Sequence, residues 1–320
     1  TTIDTNATNT TGDLTIGVVT GGNNTLTLST GDNVANSDIT ASGNISGVTT
    51  LTLADVGGTA TLSGDVDVTT LTVGNTVLNL AFTGNGSSVA NAVTFANDGT
   101  LTLGTSGGTQ TYNGGLTETT TGTVTLNGTI ASSNDAISFG AVTLGSATTI
   151  DTNSSDTTGD ITIGAVTGGS NSLTLSTGDN VANTDISASG AISGVTTLTL
   201  SDVGGTATLS GDVDVTTLTI GNTVANVVFT GNGSSVANAV TFANDGTLTL
   251  GTSGGTQTYN GGLNTASVSG TVTLNGTIAS SNDVLTFGAV TLASATTIDT
   301  NATNTTGDLT IGVVTGGNNT

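Results

Sequence analysis

The 320-residue chain contains no Lys, Arg, His, Cys, Met, Pro or Trp, and each absence removes a class of chemistry. Acid-base catalysis is left with Asp, a single Glu and two Tyr. Nucleophile pairs of the Ser-His or Cys-His kind cannot be assembled. Zinc, iron-sulfur and haem centres lose their imidazole and thiolate ligands, so only hard, oxygen-preferring cations remain. A net charge of −22 with no side-chain cation to offset it repels phosphate backbones and anionic lipid surfaces, which argues against nucleic-acid binding. The lack of thiols suits an oxidising compartment, where a long chain would otherwise risk mispaired disulfides. No apolar run approaches the ~20 residues of a membrane span, and no basic start leads into an apolar stretch, so we expect an interior segment of a longer secreted chain.

What is present is order. Only 7% of residues are charged and 34% are hydrophobic, and the apolar residues fall in short regular runs, the mark of a folded chain. TTIDT begins at Thr1, at Thr148 and at Thr296, giving a long period of 147 and then 148 residues. The extra residue lies between Tyr259 and Gly270, where a loop is expected. Residues 82 to 116 recur unchanged at 229 to 263, and 296 to 320 repeats 1 to 25 at every position. The organisation expected is repeat A over 1 to 147, repeat B over 148 to 295 and the start of a further A over 296 to 320, in one continuous body.

Within each long repeat runs a finer beat: LTI at 14, LTL at 26 and 51, ATL at 60, VTF at 93, LTL at 101, VTL at 124 and 142. Apolar residues alternate with Thr, which predicts strands with one buried and one exposed face. Gly, Asn and Asp separate them and tolerate the tight corners between strands. Strands return every 18 to 25 residues, so the pattern predicts an all-β, parallel β-solenoid of roughly 20 residues per coil and about seven coils per long repeat. The competing architecture, a string of antiparallel β-sandwiches, usually carries linker prolines and a large aromatic anchor.

The segments TQTYNGGL (109 to 116 and 256 to 263), GTVTLNGTI (122 to 130 and 270 to 278) and FGAVTL (139 to 144 and 287 to 292) resemble the strand repeats of giant bacterial filamentous haemagglutinin-like exoproteins. This likeness of repeat style covers essentially the whole chain. It implies a right-handed parallel β-helix, exported by two-partner secretion or autotransport and used in adhesion, biofilm or as an extracellular fibre. That family carries no catalytic residues in such regions, so none are transferred.

Site candidates are few. Asp sits beside Gly or Asn, as at Asp13, Asp32, Asp65, Asp98 and Asp179, where capping of turn N–H groups accounts for it. The sharper reading is calcium, best placed at Asp65 with Asp67 and at their copies Asp212 with Asp214, since alternate strand residues share a face. A glycosidase pair of carboxylates is disfavoured by the lack of Trp for sugar stacking. Glu118, the only Glu, is expected to be a solvated loop residue. Thr-x-Thr elements such as Thr25/Thr27 and Thr50/Thr52 are reminiscent of ice-binding faces, but their irregular spacing argues for plain strand formers. Asn6-Ala7-Thr8, Asn44-Ile45-Ser46, Asn85-Gly86-Ser87 and Asn127-Gly128-Thr129 match glycan acceptor sites, with Asn ladders the simpler account.

The resulting expectation is a non-catalytic structural or adhesive filament segment, extracellular or on the cell surface. It needs no cofactor unless calcium binds, and its partners are copies of itself or host and matrix glycans. The alternatives are a surface-layer-like or ice-binding protein, or a glycan-binding solenoid.

Overall fold

A computed structural model describes residues 1–6, 8, 12–31, 35–178, 183–316 and 319. Two compact units emerge, Thr1–Asn153 and Ser154–Thr320. Both are all-β. No helix occurs among the described residues, so none is long and apolar enough to cross a membrane. In each unit parallel strands stack as a β-solenoid, with roughly 21 residues to the turn. Parallel pairing between segments one turn apart rules out the sandwich alternative, which needs antiparallel neighbours.

In the first unit each coil contributes short strands to three parallel ladders. One unbroken ladder stacks Leu14 on Ile39, Ala60, Leu80, Leu101, Val124 and Val142, with Ile16, Ala41, Leu62, Phe82, Leu103, Leu126 and Leu144 as a second column two residues on. Coil length along this ladder varies from 18 residues (Val124 to Val142) to 25 (Leu14 to Ile39). The register nevertheless holds, because the corners absorb the difference. Alternation decides the faces: in Leu101–Leu103 both leucines are buried and Thr102 between them is half-exposed. Burying one such leucine is worth about 1.5–3 kcal/mol, and each coil repeats the gain.

The second unit repeats the plan. Ile161, Ile186, Ala207, Val227, Leu248, Val272 and Val290 form the equivalent column. In both units the aromatic residues fill the lumen. Tyr112 meets Phe82 and Phe95 edge to face, at 6.4 and 5.7 Å between ring centres, and donates its hydroxyl to Gln110 Oε1 at 2.9 Å. The Gln110 amide in turn donates to the Phe82 and Gly84 carbonyls. Tyr259, Gln257, Phe229 and Phe242 reproduce the cluster. Such ring pairs contribute about 0.5–1.5 kcal/mol beyond their area, and the glutamine gives each phenol the partner that burial demands.

One expectation is overturned here. Glu118 is not a solvated loop residue: it ends the strand Leu116–Glu118 with its side chain buried. Leu116 pairs with Val93 and with Ile137, so Glu118 occupies the inward position above Phe95. Its carboxylate is held by the Gly140 N–H at 3.1 Å and by the backbone and hydroxyl of Thr120. Thr265 takes this place in the second unit, 1% exposed, and its hydroxyl has no partner. A buried unsatisfied hydroxyl costs about 1–3 kcal/mol. Thr265→Val should therefore stabilise the protein by about 1 kcal/mol, read as a higher urea midpoint at unchanged slope.

Candidate functional site

The calcium candidates fall where the chain turns into and along one strand of each unit, Val66–Val73 and Val213–Ile220. Asp65 precedes the first of these, and its carboxylate reaches the next coil: the Gly86 N–H donates to Asp65 Oδ1 at 2.7 Å. The backbone of Asp65 donates in turn to Asn44 Oδ1 of the coil before. Asp212 does the same for Gly233, at 2.8 Å. Asp67 and Asp214 point outward and are exposed. Asp67 stands in an outward row between Ser46 and Ser88, and Asp214 between Ser193 and Ser235.

Beside each exposed carboxylate the surface is concave. The register slips between Ser46 and Val48, and again between Ser193 and Val195, because a glycine is inserted as a bulge. Gly47 and Gly194 take φ of 64° and 66°, the left-handed region that glycine enters without a Cβ penalty. The bulge leaves a shallow open groove of about 420 Å³ edged by Asn23, Gly47, Thr49, Asp67 and Ser88. Its counterpart, about 370 Å³, is edged by Ser170, Gly194, Thr196, Asp214 and Ser235. Chemically the two grooves offer one carboxylate among hydroxyls, a surface suited to hydrogen-bonding neutral polar ligands. Among the described residues no three Asp or Glu side chains gather where a metal would be held. Asp65 and Asp67 would thus bring two carboxylates, one with an oxygen already engaged by an amide.

Several other Asp and Asn side chains act between coils rather than within turns. Thr59 N–H donates to Asp38 Oδ1 at 2.7 Å, Asp38 N–H to Asp13 Oδ1 at 3.0 Å, and Thr100 N–H to Asn79 Oδ1 at 2.9 Å. Asp185, Asp160 and Asn226 repeat all three. Turn capping of the expected local kind also occurs, as from Asn6 N–H to Asp4 and from Asn153 N–H to Asp151. Asp32 and Asp179 lie outside the described residues, as does Ala7 of the first glycan acceptor triplet. Ser87 of the Asn85 triplet is buried and accepts the Val66 N–H.

The Thr-x-Thr pairs line up despite their unequal spacing. Thr25, Thr50 and Thr70 form one file and Thr27, Thr52 and Thr72 another. The first file closes at Asn91, whose amide donates to Thr70 Oγ1 at 2.9 Å. Comparison with protein-family models, curated proteins and solved structures finds no match for the chain.

Proposed function

We propose that this chain is a segment of a structural or adhesive filament on a bacterial cell surface, non-catalytic and built to hold its shape. The observation that carries the reading is the parallel register of successive coils. Each coil bonds to its sequence neighbour along three ladders, so load and protease attack meet many equivalent contacts. The composition supports export and endurance: no thiol to oxidise, no Lys or Arg for trypsin-like cleavage, and a thinly spread negative charge that discourages side-by-side aggregation. The hydroxyl-edged grooves favour surface or matrix glycans as what such a filament touches, with further copies of the chain as its other partner. The haemagglutinin-like repeat style points the same way.

An antibody raised against residues 82 to 116, which occur twice, should label fibres on intact, unpermeabilised source cells, with no further signal gained on permeabilising them. Signal confined to permeabilised cells would sink the proposal.

A further inference from the structure

Asn followed by Gly is the dipeptide most open to spontaneous succinimide formation, since glycine offers no side chain to hinder attack by its own amide nitrogen. The chain has six such pairs, at Asn85, Asn113, Asn127, Asn232, Asn260 and Asn275. Only Asn85–Gly86 and Asn232–Gly233 are exposed at both residues. These are also the two pairs whose glycine N–H is tied to a carboxylate of the preceding coil, Asp65 at 2.7 Å and Asp212 at 2.8 Å. The carboxylate also lies close over the glycine: a Cβ built on Gly86 would lie 3.2 Å from Asp65 Oδ2. The other pairs are packed instead. Gly128 and Gly276 are buried, and a Cβ on Gly114 or Gly261 would lie 2.4 Å from the backbone of the coil before.

We propose that Asn85 and Asn232 are latent deamidation sites, and that Asp65 and Asp212 are positioning residues that hold them closed across coils. In the reaction the Gly86 nitrogen bonds to Asn85 Cγ, the Cγ–NH2 bond breaks, and ammonia leaves carrying the amide proton. Water then opens the cyclic imide at either carbonyl, giving aspartate or isoaspartate. Attack requires the Asn–Gly peptide to rotate so that its nitrogen faces Cγ. A charge-assisted hydrogen bond anchored in the neighbouring coil opposes that rotation. In a filament that is not renewed, the exposed corners are where chemical ageing would begin. There either product would add a negative charge at Asn85, and isoaspartate would also insert an extra backbone atom.

The repeat supplies an internal control, because residues 82 to 116 and 229 to 263 are identical and have equal intrinsic reactivity. Cleavage before aspartate releases peptides 67 to 97 and 214 to 244, which differ at Val73/Ile220, Leu78/Ala225, Leu80/Val227 and Ala81/Val228 and so separate by mass. On incubating the folded Asp65→Ala chain at mildly alkaline pH, Asn85 should convert several-fold faster than Asn232 of the same molecule. Asp212→Ala should reverse the order. Asp65→Asn, which keeps an oxygen to accept the N–H, should stay near the unsubstituted rate. General loss of folding would speed both sites together, and circular dichroism identifies it. Equal rates at the two sites in folded Asp65→Ala overturn the proposal. So does slower conversion at Asn85, which would make the carboxylate a base that assists the reaction, and so does an Asp65→Asn rate matching that of Asp65→Ala.

Discussion

Gly64→Ala should destabilise the first unit by about 3 kcal/mol, the upper end of what overpacking costs. The backbone there is not left-handed, so a methyl group is conformationally allowed and the penalty is purely one of space. A Cβ on Gly64 would lie 2.3 Å from the Gly43 carbonyl oxygen and 2.4 Å from its carbon. Both are backbone atoms of the coil beneath, with no rotamer to yield. The crowding continues in both directions: a Cβ on Gly43 would meet Val18 N at 2.5 Å, and one on Gly84 would meet the Gly64 oxygen at 2.4 Å. Relief therefore means prising coils apart at a corner, which lengthens ladder hydrogen bonds on either side. Gly211 is the equivalent residue, 2.1 Å from the Gly190 oxygen by the same construction. The two sites lie in separate units, so their effects should add. Gly17→Ala is the control, with nothing within 4 Å of its added carbon. Urea midpoints measure all of these. A Gly64→Ala value within about 0.5 kcal/mol of Gly17→Ala, the range of neutral surface changes, would refute the close-stacking account.

That glycine column shows where the sequence was legible and where it was not. Alternation alone places Leu101 and Leu103 inward and Thr102 outward, and it predicts parallel coils of roughly the length found. The signal is strong because a one-residue slip would turn every leucine outward. The same alternation also places Glu118 inward, since Leu116-Thr117-Glu118 has the form of Val93-Thr94-Phe95 with a carboxylate in the aromatic position. Reading its charge rather than its period put it in solvent. Contacts between coils are a different matter. That Asp65 caps Gly86, or that Gly64 lies against Gly43, depends on which residue stands over which, and corner lengths set that register. Unequal spacing likewise argued for plain strand formers and gave no sign that the Thr pairs stand over one another. The corners take up the difference, and Thr25, Thr50 and Thr70 stand in file.

The second large effect is alkaline unfolding. Burial pushes the Tyr112 and Tyr259 phenols well above their ordinary value of 10.0. Each hydroxyl faces Gln110 Oε1 or Gln257 Oε1, an acceptor that offers nothing to an anion. A raised folded-state pKa means that the folded chain keeps its protons where the unfolded chain has released them. The tyrosines cost nothing below pH 10, and stability falls as pH climbs from 10 toward the folded value. Each contributes a slope of up to about 1.4 kcal/mol per pH unit, so the pair acts at up to about 3 kcal/mol per unit, steep against a total stability of about 5–15 kcal/mol. The assignment is unusually clean because the chain has no Lys, Arg or Cys, which leaves the phenols as its only side chains titrating there. Tyrosinate absorbance should stay absent past pH 10 and then rise in step with loss of the β signal in circular dichroism. A Tyr112→Phe/Tyr259→Phe chain keeps both rings and should remain folded to higher pH. Tyrosinate appearing near pH 10 with the β signal intact would mean that water reaches the phenols, and the sealed column inferred for the lumen would have to be abandoned.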